Sequence, residues 1–184
     1  MQRIAIIGSS GSGKSTLALQ LHTMLQLPVH HLDQYNWLPG WQARSYEEFA
    51  QAHTNLCTQQ QWIIEGIYTR TFEERIQYAD TVIFLDLPRT ICLWRILKRT
   101  IRYYNKPTPS SAVGCPERFD LKFLNYVWNF NYLYKKEIVN LLEKNRINKT
   151  IFIFNNETSV ATFLQSLKKR ADQNNRLLNF TFLQ

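Results

Sequence analysis

Residues 8–15 read GSSGSGKS, and Thr16 follows. The apolar run Ile4-Ala5-Ile6-Ile7 leads into this stretch, and a segment with Leu17, Leu21 and Leu25 on one helical face leads out of it. It fits G-x-x-x-x-G-K-[ST] at every fixed position: Gly8, Gly13, Lys14 and Ser15. Gly8 and Gly13 admit backbone geometry that a side chain would block. Ser9, Ser10, Gly11 and Ser12 keep the loop slim, so its amides can turn inward toward an anion. Lys14 adds a mobile positive charge and Ser15 a hydroxyl suited to Mg²⁺. The helix that follows points its positive end at the same place. A Gly/Ser turn of no special purpose has a similar composition. The position between a predicted strand and a predicted helix favours a phosphate cradle over residues 8–16. ATP is the expected nucleotide. The nearest approach to a guanine-reading Asn-Lys-x-Asp is Asn105-Lys106-Pro107-Thr108, which lacks the acid.

The rest of the chain suits one domain built around that loop. Its 184 residues are enough for a sizeable core, and 45% hydrophobic with 20% charged residues is ordinary globular composition. No apolar run is long enough to span a bilayer, and the N-terminus does not read as a signal peptide. Cys57, Cys92 and Cys115 are widely spaced and form no CxxC pair, as expected of a reduced cytoplasmic protein without a disulfide frame or zinc site. The formal net charge of +8 favours anionic partners, nucleotides and nucleic acids among them.

Short apolar runs alternate with helical patterns, the signature of an α/β protein with a parallel sheet. The expected strands are Arg3–Ile7, Val29–Leu32, Trp62–Glu65, Thr81–Leu85 and Thr150–Phe154. The expected helices are Gly13–Leu25, Ser45–Gln60 with a capping box, Glu73–Tyr78, Pro88 to about Tyr104, Asp120 to about Lys144, and Thr158 to about Ala171. NKPTPSSAVGCPE, residues 105–117, breaks the pattern and reads as a lid or a plain surface loop. Residues 172–184 read as a tail or as a dimer contact, so the chain is a monomer or a homodimer.

Three acids fall at strand ends. Asp33 follows the second strand, where it can accept a hydroxyl proton or hold a substrate hydroxyl. Glu65 ends the third and can share a Mg²⁺ site with Ser15. Asp86 ends the fourth, beside Pro88. His30 and His31 lack ligand partners at metal spacing and read as structural. Trp37 and Trp41 flank a Leu-Pro-Gly turn and suit either stacking on a substrate ring or packing under a lid. Arg44 and Arg70 are candidates to grip an acceptor, with a solvent-facing role as the alternative. Arg95, Arg99 and Arg102 recur at i, i+4 and i+7, with Leu93, Leu97 and Ile101 expected on the opposite, packed side. A positive stripe there can neutralise a transferring phosphoryl group, or can simply face solvent.

Taken together, GSSGSGKST, HLDQYNWLPGW, WIIEGIYTR, ADTVIFLDLPRTICLWRILKRTIR and GCPERFDLKFLNYVWNF resemble the DNA topology modulation protein (FlaR-related) group, a branch of the adenylate-kinase-like P-loop kinases. The resemblance runs from residue 1 to about residue 167. It implies a three-layer P-loop NTPase fold with a five-stranded parallel sheet in the order 2-3-1-4-5, helices on both faces and a lid within about residues 99–120. The kinase-like domain is then residues 1–171. ATP and Mg²⁺ are implied, with an acceptor region after the second strand. Asp33 and Tyr35 look like the acid and aromatic of uridine-kinase-like enzymes. Gly66-Ile67-Tyr68-Thr69-Arg70 departs from the Gly-Phe-Pro-Arg of related kinases, which counts against a nucleoside monophosphate as acceptor. Two functions are expected: transfer of phosphoryl from ATP to a nucleotide, nucleoside or similar small acceptor, or ATP-dependent regulation on nucleic acid. The catalytic set expected for transfer is Lys14, Asp33, Arg95, Arg99 and Arg102.

Overall fold

A computed structural model describes residues 1–181, and side-chain surroundings through Lys169. Five parallel strands form the sheet: β1 (Arg3–Gly8), β2 (Val29–His31), β5 (Trp62–Glu65), β6 (Thr81–Leu85) and β7 (Thr150–Phe154). A hairpin of β3 (Trp37–Leu38) and β4 (Gln42–Ala43) stands between the second and third strands of the sheet. The sequence reading lacked this hairpin. Counted among its own five strands the sheet runs 2-3-1-4-5, and the hairpin shifts the chain-order labels to β2-β5-β1-β6-β7.

The alternation of the central strand explains the three layers. Ala5 and Ile7 of β1 face one side, where they join Phe49 and Leu56 of α3 (Tyr46–Cys57), Phe72 and Ile76 of α4 (Phe72–Tyr78), and Phe130, Ile138 and Leu142 of α6 (Leu121–Lys144). Ile4 and Ile6 face the other side, against Leu17, Ala18 and Leu21 of α1 (Lys14–Leu25) and Phe163 of α7 (Glu157–Thr181). A strand buried on both faces needs apolar residues at consecutive positions, and β1 supplies them. Each such side chain contributes on the order of 2 kcal/mol by leaving water.

Helix ends follow local chemistry. Ser45 and Glu48 form the expected capping box at α3, and the Asp120 carboxylate accepts from the Phe123 amide at the start of α6. At α7 the cap is Asn156, whose Oδ1 accepts from the Ser159 amide at 2.8 Å. The expected cap, Thr158, lies inside the helix, because Asn156 places its side-chain acceptor a turn earlier. The expected tail from 172 is continued by α7 to Thr181; its side chains, and any dimer contact they make, lie outside the described residues.

Helix α5 (Arg89–Tyr103) corrects one expectation. Its buried stripe is Cys92, Ile96 and Thr100, while Ile101 is 82% exposed. The segment carries two apolar stripes, and spacing alone could not choose between them. The phosphate loop and α6 cover the first.

Parallel register sets the site. Ile6 pairs with Glu65, and His31 pairs with the same Glu65. The carboxyl ends of β1, β2 and β5 thus meet at one edge, where open α/β sheets bind ligands.

Candidate active site

The phosphate loop and the strand ends open onto one cleft of about 1050 Å³. Ser10 through Thr16, Asp33, Trp37, Glu65, Arg95 and Arg99 line it, while Gly8 and Ser9 are buried behind the loop.

The loop is locked by α5. Gly11 has φ +78°, and a Cβ there would stand 2.3 Å from the Cys92 carbonyl oxygen. Gly11 is thus required by close packing as well as by a slim loop. Gly11→Ala combines left-handed strain with an unavoidable clash, and is expected to cost about 3 kcal/mol or more in urea unfolding. The Arg95 guanidinium clamps the same corner. Its Nη1 donates to the Ser12 carbonyl at 3.2 Å, and its Nη2 pairs with Glu157 of α7 at 2.7 Å.

Lys14 Nζ donates to the Ser9 carbonyl at 3.0 Å. Burial pushes its pKa down from the usual lysine value, against the pull of Glu65 and Asp33. The Ser9 and Ser12 hydroxyls are buried without a hydrogen-bond partner among the described residues. Buried hydroxyls of this kind need partners, and phosphate oxygens would satisfy them.

Glu65 is the hub of the site. The Ser15 hydroxyl donates to its Oε1 at 2.9 Å, and His31 Nδ1 lies 2.7 Å from the same oxygen. Burial works to raise the Glu65 pKa. The His31 hydrogen bond, Lys14 and Ser15 together outweigh it and hold the group below its usual value, so Glu65 is a carboxylate. Asp33 differs. It sits in the first turn of the short helix α2 (Leu32–Asn36) and accepts from the Tyr68 hydroxyl at 2.7 Å. Its carboxyl opens to the cleft but is recessed among protein atoms. That burial, and the charge of Glu65, push its pKa up. Two carboxylates with opposite shifts face one cleft, an arrangement that separates an ion-binding acid from a proton-accepting one.

The irregular segment 104–120 roofs the cleft and is seated on the hairpin. Gly40 N donates to the Gly114 carbonyl at 2.8 Å, Trp41 Nε1 to the Pro116 carbonyl at 2.9 Å, and Cys115 Sγ to the Leu38 carbonyl at 3.1 Å. Glu117 anchors the segment's far end, accepting from Arg99 at 3.0 Å and from Thr100 at 2.9 Å. Gly114 has φ +72°, and a Cβ on it would lie 2.7 Å from Pro39 Cβ. Gly114→Ala should therefore lift the roof from the hairpin. The expected result is several-fold more inorganic phosphate released per acceptor phosphorylated, measured as the ratio of the two products.

Besides Gly8 and Ser9, four expected site residues are not brought to the cleft lining. The Tyr35 hydroxyl bonds His30 Nδ1 at 2.9 Å. Arg44 is exposed just beyond the hairpin. The Arg70 guanidinium lies 5.2 Å above the Tyr46 ring. Arg102 shares the direction of Arg95 but stands in the last turn of α5, 5.6 Å over Tyr103. Asp86 pairs with Lys135 of α6 at 2.7 Å and does not line the cleft. Conversely, the sequence reading missed His31, Tyr68 and Glu117. It also missed an aromatic wall contributed by Phe123, Tyr126 and Tyr134 of α6.

Among the described residues, no cluster of three or more His, Cys, Asp or Glu side chains can hold a metal by itself, and no helix is long and apolar enough to cross a membrane. Mg²⁺ in a phosphate-transfer site usually relies on one or two protein oxygens, waters and the phosphates themselves. The Ser15–Glu65 pair fits that donor set.

The fold is similar to that of solved kinases. The chain superposes on a gluconokinase from Sinorhizobium meliloti 1021 with a TM-score of 0.51 at 15% identity, over 98% of this chain and 97% of that one. It superposes on the shikimate kinase from Acinetobacter baumannii, in complex with shikimate, with a TM-score of 0.51 at 14% identity, over 100% and 96%. At such identities the likeness is one of fold. In sequence, an uncharacterized Bacillus subtilis (strain 168) protein, YqaC, is 32% identical over 107 residues; the match spans 56% of this chain and 59% of that relative. No protein-family model matches the chain.

Proposed function

We propose that this protein is a P-loop kinase that transfers the γ-phosphoryl group of ATP to a small acceptor. One observation carries the reading: a phosphate loop and the Asp33 carboxyl, held by the Tyr68 hydroxyl, face the same roofed cleft. The roof bears on the choice of acceptor, because a cover that excludes water favours transfer to a bound hydroxyl over hydrolysis.

Lys14 and the loop amides would hold the β- and γ-phosphates, and Ser12, which lines the cleft, would donate its unpartnered hydroxyl. Ser15 and Glu65 would hold Mg²⁺, which supplies neutralisation of phosphate charge when bound. Asp33, oriented by Tyr68, would accept the acceptor's hydroxyl proton as its oxygen bonds to the γ-phosphorus. The bond from that phosphorus to the β-γ bridging oxygen breaks, ADP leaves, and Asp33 passes the proton to solvent. Arg95 and Arg99, which line the cleft beside the loop, would add positive charge near the transferring phosphoryl group. His31 would act through Glu65, fixing its carboxylate toward Ser15. The resemblance to the DNA topology modulation group supports a cytoplasmic kinase-like domain over residues 1–171, with the roof as its lid.

The test is coupled ADP release with ATP and Mg²⁺ over nucleosides, nucleoside monophosphates and small hydroxy acids. Stimulation of at least about tenfold over the acceptor-free rate by one class is expected. A rate equal to that of hydrolysis with every class would contradict the proposal.

A further inference from the structure

Resting on the kinase reading, we propose that the acceptor is an uncharged, ring-bearing alcohol with the chemistry of a nucleoside, and that acceptors carrying a phosphate or carboxylate are disfavoured. The charges of the cleft point this way. Among the described residues its lining holds four cations, Lys14, Arg95, Arg99 and Arg118. Lys14 belongs to the phosphate loop. Arg95 is held by Glu157 and by loop carbonyls, and Arg99 by Glu117. Arg118 is 3.6 Å from Asp120 and lies 5.6 Å over the Trp41 ring. Recognition of an acceptor anion calls for a cation whose charge is not already answered, and each of these three guanidiniums faces a carboxylate, Glu157, Glu117 or Asp120. Arg44 and Arg70, the residues best suited by sequence to that work, stand outside the lining.

The lining also holds five acids, Asp33, Glu65, Glu117, Asp120 and Glu157. An anionic acceptor seated beside Asp33 would meet like charge from Asp33 and from the buried Glu65. What the acceptor end offers instead is flat apolar surface. Trp37 and Trp41 stand edge to face, with ring centroids 5.6 Å apart. Tyr68, Phe123, Tyr126 and Tyr134 complete the aromatic lining. Thr108, Ser110 and Ser111 in the roof add uncharged hydroxyls. Aromatic faces bind a planar ring, neutral hydroxyls satisfy its polar edge, and Asp33 matches a free hydroxyl.

The proposal is tested by isothermal titration of the full chain, saturated with a non-hydrolysable ATP analogue and Mg²⁺. The probes are the common ribonucleosides and deoxyribonucleosides, the 5′-monophosphate of each, and gluconate and shikimate as carboxylate-bearing ring or chain alcohols. ADP release with ATP is measured for the same compounds. At least one nucleoside should bind about tenfold or more tightly than its own monophosphate and be phosphorylated. Asp120→Asn keeps a helix-capping oxygen but removes the partner of Arg118. It should raise monophosphate affinity several-fold and narrow the preference. Tighter binding of a monophosphate or carboxylate that is phosphorylated would overturn the inference while leaving the kinase reading intact. An unchanged preference in Asp120→Asn, or ATP-analogue binding with no nucleoside bound, would also overturn it. Failure to bind the ATP analogue would instead remove the kinase reading beneath it.

Discussion

Lys14→Ala is expected to lower phosphoryl transfer by about 10³-fold, the order lost when a group that stabilises transition-state charge is removed. ATP affinity should fall with it, because the ammonium meets the β- and γ-phosphates in the ground state as well. A structural lysine would behave differently on heating. Burial holds the Lys14 pKa below its usual value. The folded state therefore disfavours its charge in full at every pH below that lowered value; the penalty shrinks as pH rises from there and is gone above the normal lysine pKa. Removing the ammonium should leave the melting temperature at neutral pH no lower than that of the parent. A tenfold or smaller loss of transfer, or a clear drop in melting temperature, would assign Lys14 to structure.

Asp33→Asn should spare ATP binding and lower transfer by about 10²–10⁴-fold, the range for a positioned general base. The asparagine carbonyl can still accept the Tyr68 hydroxyl, so the change is one of charge more than of shape. Stability gives a second readout. The pKa of Asp33 is raised by burial and by Glu65. Its ionised form therefore destabilises the fold above the folded-state pKa, and this penalty is relieved as pH falls toward the unfolded value. The asparagine variant should melt higher than the parent at neutral pH, with a difference that shrinks in acid. In the parent, kcat/KM should fall on an acid limb centred above the ordinary aspartate value of about 3.9. The variant should lack that limb. Normal turnover of the true acceptor by Asp33→Asn would remove Asp33 from the mechanism.

The parts of this molecule that were legible in sequence are those with local causes. The phosphate loop announces itself because strand, glycines, lysine and helix are contiguous. The long strands stand out because β1, β5 and β6 are buried on both faces and so are apolar throughout. The hairpin was not legible, since its two-residue strands are too short for any alternation to register. The pairing of Tyr68 with Asp33 spans 35 positions, and nothing local to either residue signals the other. His31 looked structural for the same reason: its partner, Glu65, arrives from a neighbouring strand. A clue to Glu117 did exist. It lies in GCPERFDLKFLNYVWNF, one of the stretches that carry the resemblance, and another, HLDQYNWLPGW, runs into the hairpin on which its segment rests. The arginines show the converse limit. Helical spacing grouped Arg95, Arg99 and Arg102, but only the first two line the cleft, while Arg102 lies over the Tyr103 ring.

The central claim is that the terminal phosphoryl of ATP goes to an acceptor carbon-bound oxygen and not to water. Incubating the full chain with γ-³²P-labelled ATP, Mg²⁺ and the acceptor panel, then separating the products, tests this directly. The account predicts label on one acceptor class, in excess over labelled inorganic phosphate, and lost in both Lys14→Ala and Asp33→Asn. Label found in inorganic phosphate alone with every acceptor, at a rate unaffected by Asp33→Asn, would contradict it.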